Sequence, residues 1–198
     1  RATAGQVLLR DRDVTRATAS ARTRQGMGRA FQLTNLFPGL TVAENVRLAV
    51  QSRAGIGLDL FTRWSSHRQL IARADEFLQK TALTERRNDI ASSLPHGDQR
   101  KLEVAILLAL EPDIFMFDEP TAGMSVDEVP TILNLISAIK EDLGKTILLV
   151  EHKMDVVRSL ADRIIVLHNG QLVADGEPAE VIASPIVQEA YLGIAPDA

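Results

Sequence analysis

Two runs of strand length, Ile114-Phe115-Met116-Phe117 and Thr146-Ile147-Leu148-Leu149-Val150, are apolar along almost their whole length, and each follows a segment whose apolar residues recur at helical spacing. A strand that is apolar on both faces needs cover on both, and helices alternating with such strands provide it around a parallel sheet. The pattern predicts an α/β fold, a mostly parallel sheet covered by helices. The first helix, about Asp98–Leu110, turns Leu102, Ala105, Ile106 and Ala109 inward and stops at Glu111-Pro112-Asp113. The second, about Asp127–Leu143, carries Ile132, Leu135, Ile136 and Ile139 and stops at Gly144.

The rest of the chain is built around that core. Gly5–Leu9 reads as a short strand, Ser20–Gln25 as helical, and Gly28–Gln32 as extended up to the Phe37-Pro38-Gly39 turn. Thr41-Val42-Ala43-Glu44 has the form of a capping box, so a helix starts there. Residues 51–66 show no clear period and read as a surface excursion, and Leu70, Ala74, Phe77 and Leu78 return to helical spacing. A short helix with Met154, Val157 and Leu160 precedes the strand Arg163–Leu167. Asn169-Gly170 then turns that strand into Gln171–Ala174, and Pro178–Leu192 reads as two short helices.

Composition excludes several classes. With no cysteine among 198 residues, a disulfide framework, a zinc ribbon and a Cys nucleophile are all ruled out. The longest apolar run, Val104–Leu110, is seven residues, and a membrane-spanning helix needs about 20. Residues 1–29 hold seven Arg against Asp11 and Asp13, while the rest of the chain is acidic. These arginines alternate with polar and apolar positions without aromatics between them. They read as a solvated surface, and no nucleic-acid partner is expected.

In open α/β sheets, ligands bind beyond the carboxyl ends of the strands. Asp118 and Glu119 end one predicted strand and His152 follows the next. Adjacent carboxylates there can divide labour, one holding Mg²⁺ through water and the other deprotonating an attacking water; they can equally be a solvated strand end. Leu94-Pro95-His96-Gly97-Asp98-Gln99-Arg100 sets a glycine at a helix start, where free amides and the helix dipole favour an anion.

In order and spacing, this last segment resembles the signature motif of ATP-binding-cassette proteins. Asp118-Glu119-Pro120-Thr121-Ala122-Gly123 resembles their second nucleotide motif, Gln32 their Q-loop and His152 their switch histidine. The resemblance implies a P-loop NTPase-like nucleotide-binding domain over 1–198 with ATP and Mg²⁺ as ligands. Residues 33–93 would form a helical subdomain in contact with a membrane subunit, and 94–198 the motif-bearing core. Asp118 would hold Mg²⁺ through water, Glu119 would polarise the hydrolytic water, His152 would contact the γ-phosphate, and Gln32 would sense metal or water. His96, Gly97, Asp98 and Ser125 would face the ATP of a second cassette in a head-to-tail dimer. The other implied partners are transmembrane permease subunits and, indirectly, a solute-binding protein, which places the chain on the cytoplasmic face of the membrane as a peripheral subunit.

Several residues depart from the pattern. Pro95 stands where a serine hydroxyl is expected, His96 and Asp98 replace a Gly and a Gln, and Ser125 stands where many members carry the D-loop Asp. The P-loop G-x-x-x-x-G-K-[ST] is not found: Gly144-Lys145-Thr146 has Ile139 where the first Gly belongs, and it joins a helix to a strand instead of a strand to a helix. The expectation is a cassette lacking its N-terminal P-loop segment and inactive as it stands. His96-Gly97, Val150-Glu151-His152-Lys153-Met154 and the tail Ala190-Tyr191-Leu192-Gly193 resemble the branched-chain amino acid and urea uptake branch, and the tail also resembles lipopolysaccharide-export ATPases. The implied function is the ATPase of an importer for branched-chain amino acids or a similar small polar solute. A non-hydrolytic interaction module is the alternative, and a lipid or lipopolysaccharide-export ATPase and a cassette of DNA repair or chromosome structure are further ones.

Overall fold

A computed structural model describes residues 3–30, 36–56, 67–142 and 144–189. Its contacts divide the chain into two units, 1–150 and 151–198.

In the first unit, β1 (Leu8–Leu9) and β2 (Arg12–Asp13) form a short antiparallel pair, so only the end of the predicted Gly5–Leu9 strand is paired. Helix α1 (Ala19–Arg24) is capped by the Thr18 hydroxyl, which accepts from the Ala21 N–H at 3.2 Å. Strand β3 (Met27–Ala30) pairs in parallel with β4 (Ile114–Asp118), and β4 pairs in parallel with β5 (Thr146–Val150). Three parallel strands joined through helices are the layered architecture that the apolar runs predict.

Helix α2 (Val42–Arg53) starts at the predicted capping box. The Glu44 N–H donates to the Thr41 hydroxyl at 3.2 Å, and the Glu44 carboxylate accepts from the Thr41 N–H at 2.8 Å. The Thr41 N–H, and then the Thr41 hydroxyl donating to the same carboxylate at 2.9 Å, hold the Glu44 carboxyl below its ordinary range. Helices α2, α3 (Arg68–Lys80) and α4 (His96–Ala109) share one apolar core built on Val42, Val46, Phe77, Leu78, Leu83 and Leu102, all nearly inaccessible to solvent. Helix α5 (Val129–Lys140) buries Ile132, Ile136 and Ile139, the face its periodicity marks.

Two boundaries shift from the sequence reading. Helix α4 begins at His96, two residues before Asp98, because Pro95 takes the cap position with extended backbone (φ −56°, ψ 156°) suited to a helix entry. Helix α5 begins at Val129 with Pro130 in its first turn, where a missing N–H costs nothing. Strand β5 also differs, since Thr146, Leu148 and Val150 are exposed and only the alternate face is partly covered. It forms the edge of the three-stranded sheet, so period-2 alternation leaves one set of side chains in solvent.

Gly28 marks a close approach between β3 and the end of α4. A Cβ there would stand 2.7 Å from Pro112 Cγ and would also strike Leu107 Cδ1. Gly28→Ala is therefore expected to cost about 1–3 kcal/mol by overpacking, read as a lower Tm with unchanged far-UV circular dichroism.

The second unit contains α6 (Met154–Leu160), β6 (Ile164–His168), β7 (Gln171–Gly176), α7 (Pro178–Ala183) and α8 (Pro185–Val187). Strands β6 and β7 form an antiparallel hairpin whose turn residues Asn169 and Gly170 both have positive φ (49° and 76°), as a type I′ turn requires. Ile164, Val166, Val181 and Val187 make its small core, and a clamp of Arg163 Nε and Nη2 on Asp175, both at 2.7 Å, ties β6 to β7. None of the helices among the described residues is long and apolar enough to cross a membrane.

Candidate functional site

Strand β4 delivers Asp118 and Glu119 to the carboxyl edge of the parallel sheet. Asp118 lies in register with Val150, and the Glu119 N–H continues the ladder by donating to the Val150 carbonyl at 2.9 Å. At Glu119 the backbone then takes a left-handed turn (φ 47°), uncommon for a non-glycine residue. The Glu119 carbonyl accepts from the Ala122 N–H at 3.0 Å and from Arg100 Nη2 at 3.5 Å. The Asp118 carboxylate receives Arg29 Nη2 from β3 at 2.7 Å on Oδ2.

The glycine-bearing turn sits at the start of α4. Pro95 offers no side-chain cap; its carbonyl accepts the Gln99 N–H at 3.0 Å, and Gln99 Nε2 folds back to the Leu94 carbonyl at 2.9 Å. His96 is exposed and lays its imidazole against Gly123. Gly97 is buried, and a Cβ at this position would overlap the Glu128 carboxylate. The amides read from sequence as open to an anion therefore start beneath an internal carboxylate. Glu128 accepts from the Ser125 hydroxyl at 2.9 Å, the Ser125 N–H at 3.2 Å and Lys101 Nζ at 3.4 Å. The Ser125 bonds, then Lys101, hold its carboxyl below the usual range. Lys101 also donates to Asp98 at 2.9 Å. Partial burial works against its charge, but Asp98 and Glu128 outweigh that and raise its pKa.

Of the sequence candidates, Gly97, Asp98 and Ser125 are thus brought into one network by two residues that the sequence reading passed over, Lys101 and Glu128. Glu119 is joined to α4 by a third, Arg100, and Asp118 to β3 by a fourth, Arg29. Gln32 lies outside the described residues. His152 belongs to the second unit, where its side chain is 65% exposed and its Nδ1 stands 4.0 Å from the Glu151 carboxylate, which also accepts from the His152 and Lys153 N–H groups. The Ser125-x-x-Glu128 spacing is a capping-box pattern, a signal by which Glu128 was readable.

No group of three or more His, Asp or Glu side chains gathers as a metal cage among the described residues. Mg²⁺ ordinarily keeps several waters and takes one or two carboxylates together with substrate phosphates. Asp118, 28% exposed and with one oxygen on Arg29, fits that single-carboxylate role.

A carboxylate pair at a parallel strand end beside a glycine-started helix fits phosphate-ester chemistry, and similarity to known proteins specifies the kind. Residues 1–122 match the ABC transporter family, and residues 171–195 match the branched-chain amino acid ATP-binding cassette transporter family. The chain belongs to the ABC transporter family. This cassette is 36% identical to the high-affinity branched-chain amino acid transport ATP-binding protein LivG of Escherichia coli K12, across 96% of its own length and 77% of that protein. It is 33% identical to the corresponding protein BraF of Pseudomonas aeruginosa, and 31% identical to the arginine transport ATP-binding protein ArtM of Bacillus subtilis across 91% of its length and 72% of ArtM. Among solved structures, a nucleotide-free ATP-binding cassette from an ABC transporter superposes with a TM-score of 0.77 at 25% identity, over 98% of this cassette and 79% of that chain. A dimeric ATP-binding cassette in a post-hydrolysis state with ADP and Pi gives 0.75 at 26% identity, over 89% and 74%. The α/β fold of this cassette is that of ABC ATPase domains.

Proposed function

We propose that this cassette is the ATP-binding and ATP-hydrolysing subunit of an importer for branched-chain amino acids. The observation that carries the reading is its similarity along nearly its whole length to LivG and BraF, joined by the family match at 171–195. In this reading Glu119 accepts a proton from the water that attacks the γ-phosphorus, while the bond to the ADP oxygen breaks. Asp118 would hold Mg²⁺ through water, and the bound ion would supply charge neutralisation at the phosphate oxygens. His152 contacts the γ-phosphate and Gln32 senses metal or water. Gly97, flanked by His96, Asp98 and Ser125, meets the ATP of a second cassette once Glu128 has swung aside, because a carboxylate and a phosphate cannot share one glycine. Residues 33–93 form the contact with the permease subunits, and a solute-binding protein delivers the amino acid from outside. The cassette works at the cytoplasmic face of the membrane.

The test is reconstitution of the cassette, carried in frame behind a P-loop segment, with its permeases in vesicles. Leucine uptake that needs ATP and a loaded solute-binding protein is the expected result. ATP hydrolysis indifferent to every branched-chain amino acid would overturn the substrate assignment. Pro95, which leaves α4 without a side-chain cap, favours a second reading, a non-hydrolytic module. In that case a Glu119 substitution would leave the partner complex and its activity unchanged.

A further inference from the structure

Arg100 and Glu103 form an ion pair inside the first unit, one turn beyond Gly97 on α4. Their side chains are only 5% and 6% exposed, and Arg100 Nη1 donates to Glu103 Oε2 at 2.7 Å. The other carboxylate oxygen, Oε1, is buried and accepts no hydrogen bond among the described residues. Burial pushes the Glu103 carboxyl up despite the neighbouring guanidinium. A buried pair with an orphan oxygen is poor evidence of stabilisation, since desolvating two charges commonly outweighs their attraction. Its place in the fold therefore calls for another explanation.

That explanation lies at the second guanidinium nitrogen. Nη2 reaches the carbonyl of Glu119, the residue held at φ 47°. A non-glycine residue persists in that conformation when its surroundings over-determine it. Here the Glu119 N–H is fixed on the Val150 carbonyl of the neighbouring strand β5 and its carbonyl on the Ala122 N–H of the following turn, both backbone contacts. Arg100 adds a charged donor from a different element, and Glu103 sets the direction of its planar fork.

We infer that Arg100, oriented by Glu103, is a positioning residue that fixes the backbone turn at Glu119 and so aims its carboxylate at the hydrolytic water. The inference rests on the reading of Glu119 as general base. It also gives α4 a direct mechanical link to that base: a shift of the signature helix that moves Arg100 moves the Glu119 carbonyl with it.

The decisive variant is the double substitution Arg100→Met, Glu103→Leu, which exchanges the pair for apolar side chains of similar bulk. The expected result has three parts. The Tm stays level or rises, as replacement of buried ion pairs commonly gives. Amide exchange at Ala122 in the 198-residue cassette quickens about tenfold, while exchange at the α4 interior stays put. In the cassette carrying a P-loop segment, kcat for ATP falls about 100-fold, the scale of a small misplacement of a catalytic group, with KM within about twofold. A purely structural pair would lower Tm and leave kcat alone. Should the double variant fail to fold, Arg100→Lys keeps the charge against Glu103 and loses the second branch of the fork, and it is expected to show the same kcat loss and the same Ala122 exchange. Wild-type kcat and wild-type Ala122 protection in either folded variant overturn the inference. If the unsubstituted P-loop-bearing cassette hydrolyses no ATP, the functional reading fails instead, and Ala122 exchange alone decides the positioning role.

Discussion

Glu119→Gln is expected to abolish steady-state ATP hydrolysis, lowering kcat by about 10²–10⁴-fold, the range that general-base catalysis contributes. The substitution isolates one property. Glutamine keeps the length and shape of the side chain and keeps both backbone bonds of residue 119, to the Val150 carbonyl and from the Ala122 N–H. It loses the negative charge and with it the capacity to take a proton. ATP affinity should therefore hold, and nucleotide should accumulate unhydrolysed on the protein. Steady-state phosphate release, paired with nucleotide retention on a desalting column, reads both. A variant that hydrolyses ATP at the parental rate would move the base elsewhere. A variant that loses ATP binding as well would mean that the Glu119 carboxylate holds the substrate instead of activating water.

Asp118→Asn makes a useful contrast. Its carboxylate is ion-paired with Arg29 on one oxygen, so neutralising it also removes the charge that faces that guanidinium at 2.7 Å. Loss of Mg²⁺ dependence and loss of local stability would then arrive together, which makes Glu119 the cleaner position to test.

The parts of this fold that were legible in the sequence are those set by short-range rules. The apolar runs gave β4 and β5, the Thr41–Glu44 box gave the start of α2, and Asn169-Gly170 gave the β6–β7 turn, because period, capping and turn chemistry act over a few residues. Exposure of one face of β5 was not legible, because the same five residues suit a central or an edge strand and only their neighbours decide between them. The strand-end carboxylates and the glycine turn of the site were visible from motif order. Their supports were not. Arg29 meets Asp118 across 89 positions of sequence and Lys101 meets Glu128 across 27, and no local pattern announces such pairs. Arg100 and Glu103 did leave a trace: two charges at i,i+3 among Leu102, Val104 and Ala105, where a helix face otherwise fit for the core carries an ion pair.

The 198-residue cassette is expected to show no saturable ATP binding below about 1 mM in calorimetry, and the same cassette behind an in-frame P-loop segment is expected to bind at micromolar concentration, a gain of about 4 kcal/mol. The reason is a division of labour in the site. In the proposed function Asp118 and Glu119 act on metal and water, and neither carboxylate can attract a triphosphate by itself. Affinity for the β- and γ-phosphates comes from a run of backbone N–H groups and a lysine, the arrangement G-x-x-x-x-G-K-[ST] supplies, and these 198 residues contain no such run. Gly144-Lys145-Thr146 does not substitute for it. The Gly144 N–H is turned onto the Asp142 carboxylate at 3.0 Å, Lys145 Nζ stands 3.7 Å from Asp113, and the segment enters β5 at the end of the strand opposite to Val150. Lys145→Ala should accordingly leave ATP affinity unchanged in both forms, whereas alanine in place of the upstream P-loop lysine should return the longer form to millimolar binding. Micromolar binding by the 198-residue chain would place the phosphate cradle within these residues, and a loss of that binding in Lys145→Ala would locate it at the turn into β5.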